Sequence, residues 1–187
     1  MKLLLILLAF ALQAQTIGGG AALGGGAALN KGSGGGGGCY STALVSSYTG
    51  GGDRSNLDAD LGVKFTVGGS SISVNCLGRM RSTGNASTHT VSIYQGSTLI
   101  TSVSIDMSSG TVGQFKYATI TPVTLSASTT YRLVSHEING GDNWQQDAAV
   151  TLNAAVGTVT STYGDPPPGW TDPLPDKMYV GVDLKFQ

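Results

Sequence analysis

From about residue 57 to the C-terminus, apolar side chains recur at every second position, and no helical period of useful length interrupts them. Leu61, Val63, Phe65 and Val67 alternate with Gly62, Lys64 and Thr66. A pleated strand sends successive side chains to opposite faces, so this period predicts strands with one buried face. After a turn at Gly68-Gly69, Ile72, Val74, Cys76 and Met80 share the apolar face, opposite Ser73, Asn75, Arg79 and Arg81. Val91 and Ile93, the turn Gln95-Gly96-Ser97-Thr98, and then Leu99, Val103, Ile105 and Met107 predict a hairpin with those side chains inward. Phe115 to Leu125 reads as a strand, and Pro122 within it, which cannot donate to a ladder, either places it along an edge or ends it near there. Strands over Tyr131–Ile138 and Val156–Tyr163 follow, and Met178, Val180, Val182, Leu184 and Phe186 close the chain in clean alternation. Seven to nine short strands separated by Gly, Ser and Asn turns predict an all-β fold, an antiparallel β-sandwich of immunoglobulin-like or jelly-roll-like kind.

The N-terminus obeys other rules. Lys2 precedes an apolar run, Leu3 to Leu12, too short for a membrane anchor and of the length of a secretory signal. Residues 1–14 are read as a signal peptide cleaved after Ala14, the alternative being an uncleaved membrane-embedded N-terminus. No other stretch is long and apolar enough to span a bilayer. The expected setting is secreted, extracellular or on the cell surface. Residues 15–38 form a glycine-rich lead in which Gly-Gly-Gly-Ala-Ala-Leu occurs twice, at 18–23 and 24–29. A six-residue unit suits an extended strand or a three-fold helix, where Ile17, Leu23 and Leu29 share one face; on an α-helix they would be rotated apart. The lead is either a flexible tether or an assembly strand donated to a neighbouring copy. Residues 39–187 are the predicted domain.

The pair Cys39 and Cys76 is read first as a disulfide, in keeping with an oxidising compartment, and otherwise as two small buried thiols. Charged residues make up only 11% of the chain and the net charge is −1, with no basic stripe, so nucleic acid is excluded as an expected partner.

Three stretches, Leu61–Val67, Ser87–Tyr94 and Val123–Ser135, extended by Gly140-Gly141-Asp142-Asn143-Trp144, resemble a domain of uncharacterised function in large secreted bacterial proteins. In those proteins it stands beside immunoglobulin-like and glycan-associated modules. The resemblance covers roughly residues 57–187 and rests on strand and turn pattern. It implies a β-sandwich, an extracellular setting and no established catalytic residues. The chain departs from the pattern in carrying its own glycine lead instead of partner domains.

The inventory argues against an enzyme. Glu137 is the only glutamate, and His89 and His136 are the only histidines. Glycoside hydrolysis by paired carboxylates would need an aspartate as the second, and His136-Glu137 lacks the second histidine of a zincin motif. Two loops are nominated for binding instead. His136–Asp147 places His136, Glu137, Asn139, Asp142, Asn143 and Gln145 around Trp144, an aromatic face with amides and carboxylates such as a pyranose ring requires; alternatively Trp144 packs over the end of the sandwich. Tyr163–Asp176 holds five of the six prolines and presents Trp170 either as a second binding surface or as a lid over a sheet end. Asp165, Asp172 and Asp176 are candidate calcium ligands whose spacing fits no recognised loop; no other metal or cofactor is implied. Asn85-Ala86-Ser87 has the pattern of a glycosylation sequon.

The expected function is a non-catalytic binding or adhesion module with an extracellular glycan as partner. The alternative is a filament or sheath subunit that joins other copies of itself through the glycine-rich lead or a sheet edge.

Overall fold

A computed structural model describes residues 38–164 and 169–187. Ile17, Leu23, Leu29, the expected signal segment and nearly all of the lead lie outside the described residues.

The chain is all-β, with fourteen strands among the described residues. In order they are β1 (Thr42–Ala43), β2 (Val45–Thr49), β3 (Gly52–Arg54), β4 (Ala59–Val67), β5 (Ile72–Met80), β6 (Thr88–Gln95) and β7 (Thr98–Asp106). There follow β8 (Phe115–Leu125), β9 (Thr130–Glu137), β10 (Trp144–Gln146), β11 (Ala148–Leu152), β12 (Val156–Gly164), β13 (Lys177–Met178) and β14 (Val182–Phe186). Every pairing is antiparallel. One sheet runs β12-β4-β9-β6-β7 and a second runs β1-β14-β5-β8; a three-stranded sheet, β13-β11-β2, and a β10-β3 ribbon complete the fold. Leu61, Val63, Phe65, Val91, Ile93 and Leu133 from the five-stranded sheet share one core with Ile72, Val74, Leu77, Val182, Leu184 and Phe186 from the four-stranded sheet. That arrangement is consistent with a β-sandwich.

Several expectations hold. β4, the β6–β7 hairpin, β9 and β12 fall where the alternation placed them. β8 is an edge strand, and Pro122 sits where its register shifts between Val74↔Val123 and Cys76↔Thr119. β14 lies between β1 and β5, so the C-terminal segment is inside a sheet.

Two departures share one cause. A bulge adds a residue to one strand of a pair and reverses the phase of every side chain beyond it. In β5 the pairs Val74↔Phe186 and Cys76↔Lys185 leave Asn75 out of register. Beyond it Leu77 and Arg79, opposite Leu184 and Val182, take the core-facing positions. Cys76 and Met80 pass to the other face, where both are still covered. The assignment of Arg79 to the face opposite the core is therefore corrected. In β7 the register shifts between Ile93 and Tyr94, which sets Leu99 opposite Tyr94. Leu99 is half exposed rather than inward. The remaining strands not foreseen are short ones, β1, β2 and β3 before residue 57 and β10 and β11 from Trp144 onwards.

Cys39 and Cys76 are joined in a disulfide. The bulged Asn75 reinforces the join: its Oδ1 accepts from the Tyr40 backbone N–H at 2.9 Å, and its Nδ2 donates to the Gly38 carbonyl at 3.0 Å.

Candidate functional site

The segment between β9 and β11 is fixed before it reaches Trp144. Gly140, with φ +75°, reverses the chain and donates its N–H to the Ser55 carbonyl at 2.6 Å. Asp142 then ties down the turn before β6: its Oδ2 accepts from the backbone N–H groups of Ala86 and Ser87 at 2.9 and 2.8 Å and lies 3.1 Å from His89 Nε2. The Asn143 carbonyl accepts from Asn85 Nδ2 at 2.9 Å. The chain thus enters β10 with Trp144 directly opposite Arg54 of β3.

Trp144, only 4% exposed, turns its ring edge-on to Tyr179 at 6.2 Å, and Tyr179 meets Tyr163 at 5.8 Å. These three rings, with Asn56, Leu57 and Gln146, line a cleft of about 280 Å³. The neighbouring Gln145 faces elsewhere, accepting from the Tyr48 hydroxyl at 2.9 Å. Burial first, and then the Asp147 carboxylate, push the Tyr179 hydroxyl above its ordinary value, so it is a donor at neutral pH. Among the described residues the buried Trp144 Nε1–H has no acceptor and the buried Asp147 Oδ1 has no donor. Asp147 itself adopts a left-handed conformation, φ +57°, which few residues other than glycine, asparagine and aspartate tolerate.

Glu137 is completely buried and does not reach this cleft. Its inward position continues the core phase of Tyr131, Leu133 and Ser135 along β9. Arg79 donates to it twice, from Nε to Oε1 at 3.0 Å and from Nη2 to Oε2 at 2.9 Å, a charge-assisted fork. Ser135 donates to the same Oε1 at 2.6 Å. His89 Nδ1 lies 3.3 Å from Oε2. Burial alone would raise the Glu137 carboxyl, but His89 and Arg79 outweigh it and hold it below its ordinary value. Burial likewise opposes the charged form of His89, yet the Glu137 and Asp142 carboxylates raise its pKa above the ordinary value. Asn85 completes the network, accepting from Arg79 Nη1 and from the Ser82 N–H. With Asn85 buried and both ends of its amide engaged, the sequon is closed to modification in the folded domain.

The other nominated residues are distributed. His136, on the opposite face of β9 from Glu137, is half exposed and pairs through Nδ1 with Asp60 at 2.9 Å. Asn139 is exposed in the turn, and Asp142 and Asn143 brace that turn. Trp170 is held flat to the protein: it donates from Nε1 to the Gly96 carbonyl at 3.1 Å, meets Tyr94 edge-on at 5.4 Å and lies 5.2 Å beneath the Arg132 guanidinium. None of those partners lines the cleft, so the two tryptophans occupy separate places. Asp172 is occupied by Lys64 at 2.7 Å and Arg132 at 2.8 Å, and Asp165 lies outside the described residues. Among the described residues no group of three His, Cys, Asp or Glu side chains is placed to hold a metal ion, and no helix is long and apolar enough to cross a membrane.

Of the cleft residues, the sequence singled out Trp144 as a ligand contact; Gln146 and Tyr163 fall within the two nominated loops without a role of their own, and Asn56, Leu57 and Tyr179 were missed. Comparison with protein-family models, curated proteins and solved structures finds no match for this chain.

Proposed function

We propose that this domain is a secreted, non-catalytic binding module directed at carbohydrate, and that the cleft lined by Trp144, Tyr163 and Tyr179 is its site. The observation that carries the reading is the mixture of walls. Three aromatic rings and Leu57 supply apolar surface for the C–H face of a sugar, and Asn56 and Gln146 supply amides for its hydroxyls. Among the described residues no side-chain hydrogen bond engages either amide. A non-catalytic role is supported by the state of Glu137, whose carboxylate is committed to Arg79 inside the core and is out of reach of a substrate. The disulfide is compatible with an oxidising, extracellular setting. An immunoglobulin-like or jelly-roll-like sandwich, and kinship with the bacterial secreted domains it resembles, fit the same reading.

A glycan panel titrated against Tyr163→Ala, Tyr179→Ala and Gln146→Ala tests it. Binding is expected to fall in each of these variants and to persist in Trp170→Ala. Binding that survives all three cleft substitutions would place the ligand elsewhere.

A further inference from the structure

The edges of the two main sheets are not alike. On β12, Ser161 donates to the Leu174 carbonyl at 2.8 Å, and Tyr163 and Thr171 exchange bonds at 3.0 and 2.9 Å, so the segment before β13 covers that edge. β1 is only two residues long. β8 contains Pro122 and loses register between Val123 and Thr119. Covering segments, short strands, prolines and broken register are the devices that keep an edge from pairing further. β7 uses them least. It is nine residues long, has no proline and carries no charge from Thr98 to Ile105. Its one irregularity, at Ile100, lies near its start and leaves Thr101 to Asp106 in unbroken register with β6. Among the described residues no strand pairs with its outer side.

The phase of that outer side can be worked out. Successive residues of an antiparallel strand direct their backbone groups to opposite neighbours. Met107 donates to the Ser87 carbonyl at 2.9 Å, continuing the pair Thr88↔Asp106, so Met107, Ile105, Val103 and Thr101 bond towards β6. Asp106, Ser104 and Ser102 therefore turn their N–H and C=O groups outward. The Asp106 carbonyl is taken by Lys116 Nζ. Ser102 and Ser104 are exposed, and Val103 between them is half-buried.

We infer that β7 pairs antiparallel with β7 of a second copy, about a two-fold axis at Val103. A two-fold axis sets a segment against itself, so the contact must be self-complementary. With the axis there, Ser102 lies opposite Ser104 of the second copy, and each such pair exchanges both of its backbone bonds. Val103 meets its own counterpart at the closer, non-hydrogen-bonded position, where side chains pack best. An axis at Ser102 would call on Ile100, which the bulge puts out of register, and one at Ser104 would call on the Asp106 carbonyl that Lys116 holds. The uncharged stretch brings no like charges face to face, and a net charge of −1 adds little repulsion between copies. β7 does not line the cleft, so the contact is independent of ligand binding there.

Sedimentation of the full chain from micromolar to millimolar concentration is expected to show a monomer–dimer equilibrium. Ser102→Pro removes one outward donor from each copy and should weaken the dimer about tenfold. Ser102→Lys/Ser104→Lys sets like charges opposite one another, whereas Ser102→Lys/Ser104→Glu sets opposite charges there; the second variant should associate about tenfold more tightly than the first. In the parent, hydrogen exchange at the Ser102 and Ser104 amides should slow as concentration rises. A chain that stays monomeric throughout overturns the inference. So does association that survives both Ser102→Pro and the double lysine variant, which would favour another edge or the glycine-rich lead as the joining element. Equal association of the two charged variants overturns the axis at Val103. The exchange measurement needs no substitution, and a dimer that leaves both amides unprotected overturns the pairing whether or not the variants fold.

Discussion

Arg79 Nη2 and Glu137 Oε2 lie 2.9 Å apart, both side chains fully buried, and the pair joins β5 of the four-stranded sheet to β9 of the five-stranded sheet. Breaking a buried pair by removing one partner leaves an uncompensated charge, whereas replacing both by apolar groups of similar size is often neutral. Glu137→Gln is therefore expected to lose about 3 kcal/mol or more. The double variant Arg79→Met/Glu137→Leu should recover most of that loss. Urea unfolding of the two variants and the parent checks the contrast; equal losses would mean that packing, not charge, dominates the site.

His89 makes the same network sensitive to pH. The groups facing it are the carboxylates of Glu137 and Asp142, the guanidinium of Arg79 and the His136 carbonyl. Its folded pKa lies above the ordinary 6.5, so the stabilisation from its proton is fully present below that value and fades as pH rises through the folded pKa. The neutral ring has a single N–H and must abandon one of the two carboxylates. Glu137 is shifted downwards, so its contribution is present above its ordinary 4.5 and fades as pH falls. The stability difference between the parent and His89→Gln should thus be greatest in mildly acidic solution and shrink towards alkaline pH. Thermal unfolding across that range measures it, and a difference that grew with pH would contradict the assignment.

The Cys39–Cys76 bond closes a separation of 37 residues. On the chain-entropy account a loop of that length contributes about 4 kcal/mol by restricting the unfolded chain. Cys39→Ser/Cys76→Ser should lower the urea midpoint accordingly. The effect of adding reductant to the parent should match it, because Cys39 is exposed at the surface.

Trp170 is expected to matter for stability and not for ligand binding. Its ring contact with Tyr94, its place under Arg132 and its bond to the Gly96 carbonyl together suggest a loss of about 2 kcal/mol in Trp170→Ala. A parallel loss of sugar affinity would show that the proline-rich loop contributes to the cleft after all.

The strands were legible because their inner faces are almost wholly apolar, and the alternation of Leu61, Val63, Phe65 and Val67 needs no tertiary information. Part of the polar network was legible on the same terms. His89 is in phase with Val91 and Ile93, and Glu137 with Leu133, which marks both as polar groups at core positions. Arg79 was not, because its inward aim depends on the bulge at Asn75, and a single extra residue inverts the face on which everything beyond it lies. Of the cleft, Trp144 was legible as a contact, and Gln146 and Tyr163 only as members of the nominated loops. Asn56, Tyr163 and Tyr179 come from three separated stretches, and pairings such as β10 with β3 that bring them together are too short to leave a period in the sequence.

The clamp at residues 38–40 has a mechanical consequence. Tension drawn along the polypeptide from the N-terminal side reaches Cys39 and crosses the disulfide into Cys76, in the body of a strand paired on both sides by β14 and β8. The segment from Tyr40 to Asn75, which includes β4, is then a covalently shunted branch that bears none of the pull.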